Sequence, residues 1–223
     1  MGAQTMNPFI ESFIYILTGL GVTLKYTLIA LTGGTVIGTF LAILKYNHIG
    51  EFGVNAYVSF LRGTPLLVQL TLVYFVLPTL VGFPIPVFIA GSIAFSLNAG
   101  AYITEIISAG LNSVDKGQFE ACNALGIPPL LMWRDIILPQ AIKTIFPAFL
   151  NEAITLAKET ALISTLGEQD IMRRAQLTAA EHYTYVLPLV TAAICYYLLT
   201  FCLELLGKKL EKGLCYDYSQ KSI

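Results

Sequence analysis

The chain has 223 residues, of which 56% are hydrophobic and only 12% charged, with a formal net charge of −1. A soluble domain carries about 25% charged residues, so too few polar side chains are present to cover a water-facing surface, and the apolar content excludes disorder. A mean hydropathy of +0.70 and a pI of about 6.1 leave no general nucleic-acid binder and point to an all-α polytopic membrane protein embedded in a lipid bilayer.

Residues 1–24 contain no Lys or Arg. A cleaved secretory leader needs a basic start, so the first apolar segment is expected to stay in place. Residues 1–21 predict an amphipathic lead-in, helical over Phe9–Leu20. A spanning helix needs ~20 mainly apolar residues, and five such stretches follow: about 22–44, 57–80, 86–110, 142–166 and 185–207. Together, residues 22–207 form one transmembrane domain, and 208–223 form a basic tail. Gly34 and Gly38 make a GxxxG on the first span, which lets helices approach closely. The second span is interrupted at Arg62-Gly63-Thr64-Pro65. Cys122, Cys195, Cys202 and Cys215 form no CxxC pair and read as small apolar packing residues; no metal site is expected.

Basic residues set orientation. With the N-terminus outside, the inner side holds Lys45, Lys116, Arg134, Lys143, Lys208, Lys209, Lys212 and Lys221, against Arg173 and Arg174 outside. This predicts an N-out, C-in protein. Arg173 and Arg174 read as part of a solvated outer helix or as a contact for an external partner.

The connection 112–140 is too polar for a span and is patterned beyond the needs of a linker. Asp115 and Gln118 suit a helix start, Phe119–Leu125 reads as two helical turns, and Gly126 sits where a left-handed residue ends a helix. Pro128 and Pro129 then open a second short helix over Leu130–Leu138, and Pro139 is expected to break it.

The string Glu120-Ala121-Cys122, three residues, Gly126, nine residues, Ile136-x-Leu138-Pro139 resembles the EAA loop of ABC importer permeases. Further matches are to the polar amino-acid branch: Leu17-Thr18-Gly19-Leu20-x-x-Thr23-Leu24, Phe60-Leu61-Arg62-Gly63-Thr64-Pro65-Leu66-Leu67-Val68-Gln69, Leu97-Asn98-x-x-Ala101-Tyr102-x-x-Glu105, and Leu156-x-Lys158-Glu159-Thr160. One departure is Cys122, where the family usually has Ala. The resemblance covers about residues 15–210. It implies a type I ABC importer permease fold, a second permease subunit, identical or paralogous, separate ABC ATPase subunits holding ATP and Mg²⁺, an extracytoplasmic solute-binding protein, and a location in the bacterial inner membrane. It also implies that Glu120, Ala121, Cys122, Gly126, Leu138 and Pro139 couple to the ATPase. This chain has no Walker A glycine loop and is expected to bind no cofactor itself.

Charged groups inside a bilayer are costly, ~2.5–3.5 kcal/mol each on the mild insertion scale, so they face protein, water or one another. Glu105 and Glu159 correspond, by the resemblance, to acidic residues at a substrate pocket; many relatives have Asp where Glu159 stands. A buried carboxylate can receive the ammonium of an amino-acid substrate, while Arg62 and backbone groups freed at the second-span break can receive its carboxylate. Asn98 is read as a pocket residue or an interhelical hydrogen bond. Otherwise, Glu105 pairs with Lys158 or Arg62 as a structural charge. Two rival functions remain: a passive channel or scaffold, which leaves the patterned loop unexplained, and an intramembrane enzyme, which needs a nucleophile and base that His48 and His182, in loops on opposite sides, do not supply.

Overall fold

A computed structural model describes residues 8–220; residues 1–7 of the expected lead-in and 221–223 of the expected tail lie outside them. Every regular element among the described residues is helical: α1 (Pro8–Thr18), α2 (Leu20–Tyr46), α3 (Glu51–Gly63), α4 (Leu66–Thr71), α5 (Leu77–Val81), α6 (Val87–Asn112), α7 (Lys116–Ala124), α8 (Pro129–Leu131), α9 (Leu138–Glu159), α10 (Ile171–Glu181) and α11 (Val186–Gln220). Leu72–Val76 and Met132–Ile137 are π-helical, and Thr160–Leu166 is a 3₁₀ turn.

Three stretches are long and apolar enough to cross a membrane: Ile10–Tyr46, Val87–Asn112 and Val186–Glu211. A fourth is the pair Glu51–Gly63 and Leu66–Val81, bent by 105° at the expected interruption. The physical cause is local. Thr64 is extended at φ −115° and ψ 145°, as expected of a residue before proline. Helix α9, with its 3₁₀ extension, matches the expected fourth span in position but not in apolarity, because Lys143, Glu152, Lys158 and Glu159 interrupt it.

Two boundaries differ from expectation. The expected lead-in helix is α1, joined to α2 through Gly19 alone, itself in the right-handed helical region. The last helix does not stop at Gly207 but runs on to Gln220. Pro139 does not break the chain: it sits near the start of α9, directly after a π-helical stretch in which Leu138 N–H bonds to Trp133 O. Pro78 follows Leu72–Val76 in the same way. A proline interior to an α-helix clashes with the carbonyl four residues back, and a π turn widens the helix just there.

The core is built on α2 against α6. Tyr26, Ala30, Phe95, Ala99 and Ile103 are buried at this contact, joined by Leu70, Leu156 and Ile163. The GxxxG works within the chain: a Cβ on Gly34 would lie 2.5 Å from that of Ala99, and one on Gly38 would lie 2.7 Å from Ile103 Cγ2. No side chain fits there without separating the two helices.

Candidate functional site

The break between α3 and α4 exposes backbone acceptors that need partners, and Gln69 supplies them. Its Nε2 donates to Leu61 O at 2.7 Å, Thr64 O at 3.1 Å and Thr64 Oγ1 at 2.9 Å. Its Oε1 accepts from Asn98 Nδ2 at 3.0 Å, and Asn98 Nδ2 also lies 3.4 Å from Leu61 O. Both side chains are buried. The Leu61 and Thr64 carbonyls at the break are therefore taken, and the structure places Asn98 in the joint that pins the broken span to α6. Replacing Gln69 with leucine is expected to cost about 1–3 kcal/mol for each buried group left unpaired, read as a lowered melting temperature of the purified protein in detergent; an unchanged melt would show the joint to be dispensable.

Around that joint lie the charges. Glu105, two turns beyond Asn98 on α6, accepts from Lys45 Nζ at 2.7 Å, and its other oxygen lies 3.7 Å from Arg62 Nη1. The Arg62 guanidinium stands 5.2 Å from the centre of the Tyr102 ring. Glu152 is buried on α9 and feels the charges of both Glu159 and Arg62. Glu159, two turns along the same helix, in turn feels Lys158. The structure thus brings Arg62 and Glu105 together, with Glu152 in electrostatic reach of Arg62, and places Glu159 beside Glu152 and Lys158 rather than against Glu105 or Arg62. Glu105 pairs with Arg62 as one reading expected; its closer partner is Lys45 and not Lys158. Two roles escape the sequence: that of Lys45, legible only as a basic residue on the inner side, and that of Gln69, legible only as the last residue of the second-span motif.

The patterned loop folds as expected. Asp115 caps α7 by accepting from Gly117 N–H, and Gly126 has φ +66°. Glu120, Ala121, Ala124, Leu125 and Gly126 are exposed, Leu125 to 77%. Cys122 is buried instead. Its small size therefore serves packing against the body of the permease, and not close approach by a partner. Leu138 is partly exposed and Pro139 is buried, at the start of α9. Trp133 ties the loop down: its ring meets Phe119 at 6.0 Å and Tyr46, at the end of α2, at 5.3 Å, both edge-on. Beneath them Val114, Ile137 and Ala141 are buried. On the exposed surface nearby, the Arg134 guanidinium holds the Asp135 carboxyl below the usual carboxylate range by a 2.7 Å hydrogen bond.

At the other end of the molecule, Arg174 is not free for a partner. Its Nη1 donates to Thr18 Oγ1 at 2.7 Å, its Nε to Gln169 O at 3.0 Å, and its guanidinium covers the Tyr15 ring at 4.8 Å. Helix α10 is locked further by Asp170, which is fully buried. Asp170 accepts from Arg173 N–H and from Tyr196 Oη, both at 2.8 Å. Burial pushes its carboxyl upward in pKa, against these hydrogen bonds, which lower it.

Comparison with known proteins agrees with this architecture. The family of binding-protein-dependent transport system inner membrane components matches residues 34–215. A Rickettsia conorii protein (strain ATCC VR-613 / Malish 7), provisionally named a glutamine transport system permease, is 52% identical over 211 residues, covering 94% of this chain and 97% of that one. The arginine transport system permease of Bacillus subtilis (strain 168) is 46% identical over 202 residues, covering 90% and 92%. A crystal structure of an amino acid ABC transporter with histidines superposes with a TM-score of 0.84 at 37% identity, over 95% of this chain and 99% of that one. An inward-facing methionine ABC transporter, at 20% identity and a TM-score of 0.76, shares the fold. The chain therefore belongs to the inner membrane components of binding-protein-dependent transport systems, as a permease subunit of the type I ABC importer fold in a family of transporters and not of enzymes.

Proposed function

We propose that this permease moves polar amino acids inward by alternating access, with Glu105 and Glu159 receiving the substrate's positively charged group and Arg62 its carboxylate. The observation that carries the reading is the ion cluster itself. Glu105 sits between cations from two different helices, and Glu152 is within electrostatic reach of Arg62. Such costly charges are retained in a membrane segment where they serve a pathway. Relatives named for glutamine and for arginine fit a site that binds an α-ammonium in either case and a cationic side chain in the second.

In this reading α9 and its 3₁₀ extension complete five spans, the N-terminus lies outside and the C-terminus inside. A separate ATPase holds ATP and Mg²⁺, a second permease completes the pore, and an extracytoplasmic binding protein delivers the solute. Closure of the ATPase moves α7 at Glu120–Gly126, and the attached spans rotate as a body. The test is reconstitution of the permease with its ATPase and binding protein. ATP hydrolysis should rise with L-arginine or L-glutamine, and alanine at Glu105 and Glu159 should weaken that response. ATP-independent flux through the permease alone would establish the channel reading instead.

A further inference from the structure

Lys45 makes the shortest contact in the ion cluster, yet it lies at the α7 end of α2, one residue before the Tyr46 that touches Trp133. Its two neighbours in the cluster are differently placed. Arg62 is 3.7 Å from Glu105, stacks on Tyr102 and also feels Glu152, so it has a second anion to hold it. Lys45 has Glu105 on one side and a cavity of about 390 Å³ on the other, lined by Tyr46, His48, Glu51, Ser108, Leu111 and Asn112. Within that cavity Ser108 Oγ is buried without a hydrogen-bond partner. An adjoining cavity shares Tyr46, Leu111 and Asn112 and reaches Phe119 and Glu120 of α7. The Lys45 side chain, 25% exposed, stands at the boundary between cluster and vestibule.

Occupancy gives this placement a consequence. Glu105 faces Lys45 with one oxygen and Arg62 with the other. An amino-acid ammonium approaching Glu105 meets a resident cation at either oxygen and is repelled unless one of them withdraws. Lys45 has a flexible stem and a polar space to withdraw into.

We infer that Lys45 is a resident competitor for the substrate's cationic group. Its ammonium occupies Glu105 while the permease is empty, swings into the vestibule when the ammonium or guanidinium of an amino acid takes Glu105, and returns to expel that group toward the α7 end. The inference rests on the reading of Glu105 as a substrate contact.

Equilibrium binding of radiolabelled L-arginine and L-glutamine to the purified permease–ATPase complex, without binding protein, tests it. Lys45→Met removes the competitor and should lower the apparent Kd about three- to tenfold, the worth of a charge-assisted hydrogen bond less its exposure, while turnover in liposomes falls because release is slowed. Lys45→Arg keeps a cation and should bind like the parent. Lys45→Gln should tighten binding in the same direction and serves where the Met variant fails to assemble. A purely structural ion pair would lower the melting temperature and never tighten binding. If Lys45→Met and Lys45→Gln leave Kd unchanged or raise it while Glu105→Gln raises it, Lys45 is no competitor and the pocket stands. If Glu105→Gln leaves Kd unchanged, the pocket reading fails and takes this inference with it.

Discussion

Glu105→Gln is expected to weaken amino-acid binding by the permease about 10- to 100-fold. Glu105 is the only carboxylate shown to touch both Lys45 and Arg62 among the described residues, so its charge sets the local field. Glutamine keeps the shape and one acceptor but loses the charge-assisted bond, worth roughly 1.5–3 kcal/mol, and each 1.4 kcal/mol is about tenfold in affinity. The same substitution strands Lys45 without an anion, so binding should fall further for cationic side chains than for neutral ones. The check is a pair of binding isotherms, arginine and glutamine, on parent and variant. Equal affinities throughout would remove Glu105 from the pathway.

The second large effect is expected at the opposite end of the mechanism. Glu120→Lys should reduce ATP-driven uptake by about tenfold or more while leaving the permease inserted and folded. Glu120 is exposed on α7 and makes no contact that the fold needs, whereas Phe119 and Cys122 on the inner face hold the helix in place. On the ATPase contact proposed above, a reversed charge at Glu120 is unfavourable by up to several kcal/mol wherever the carboxylate meets a cation, and it leaves the packing beneath undisturbed. The measurement is uptake beside basal ATP hydrolysis in the same vesicles: hydrolysis that persists without uptake marks lost coupling, and normal uptake would remove Glu120 from the drive. Gly126→Val probes the same stretch differently, because a β-branched residue at φ +66° is strained by ~1–2 kcal/mol and would tilt α7 out of its seat.

The helices themselves were largely legible: three apolar runs became long helices, and the Arg62–Pro65 interruption became the 105° bend of a fourth. Spacing also revealed α7 and its left-handed Gly126, because capping and helix termination are local chemistry. What sequence did not show was contact at a distance. The Lys45–Glu105 pair joins residues 60 apart, and nothing in either neighbourhood names the other. Asn98 was legible as polar but not as a partner for Gln69, since that needs the bend to be folded first. Cys122 stands at a motif position that the resemblance assigns to coupling, but helical periodicity turns it inward. Pro139 was read as a stop because proline interrupts an α-helix, and the wider turn that admits it has no signature in composition.

That wider turn hides a surplus residue. Met132–Ile137 winds more loosely than an α-helix, so its six residues cover about the rotation of five regular ones. Trp133 sits inside it and faces both Tyr46 and Phe119. Deleting a single residue there, with Pro139→Ala to permit regular winding, would leave the azimuth of the upstream chain nearly unchanged but remove the local swelling that seats Trp133. The extra amino acid thus supplies an anchor for the loop without altering its aim.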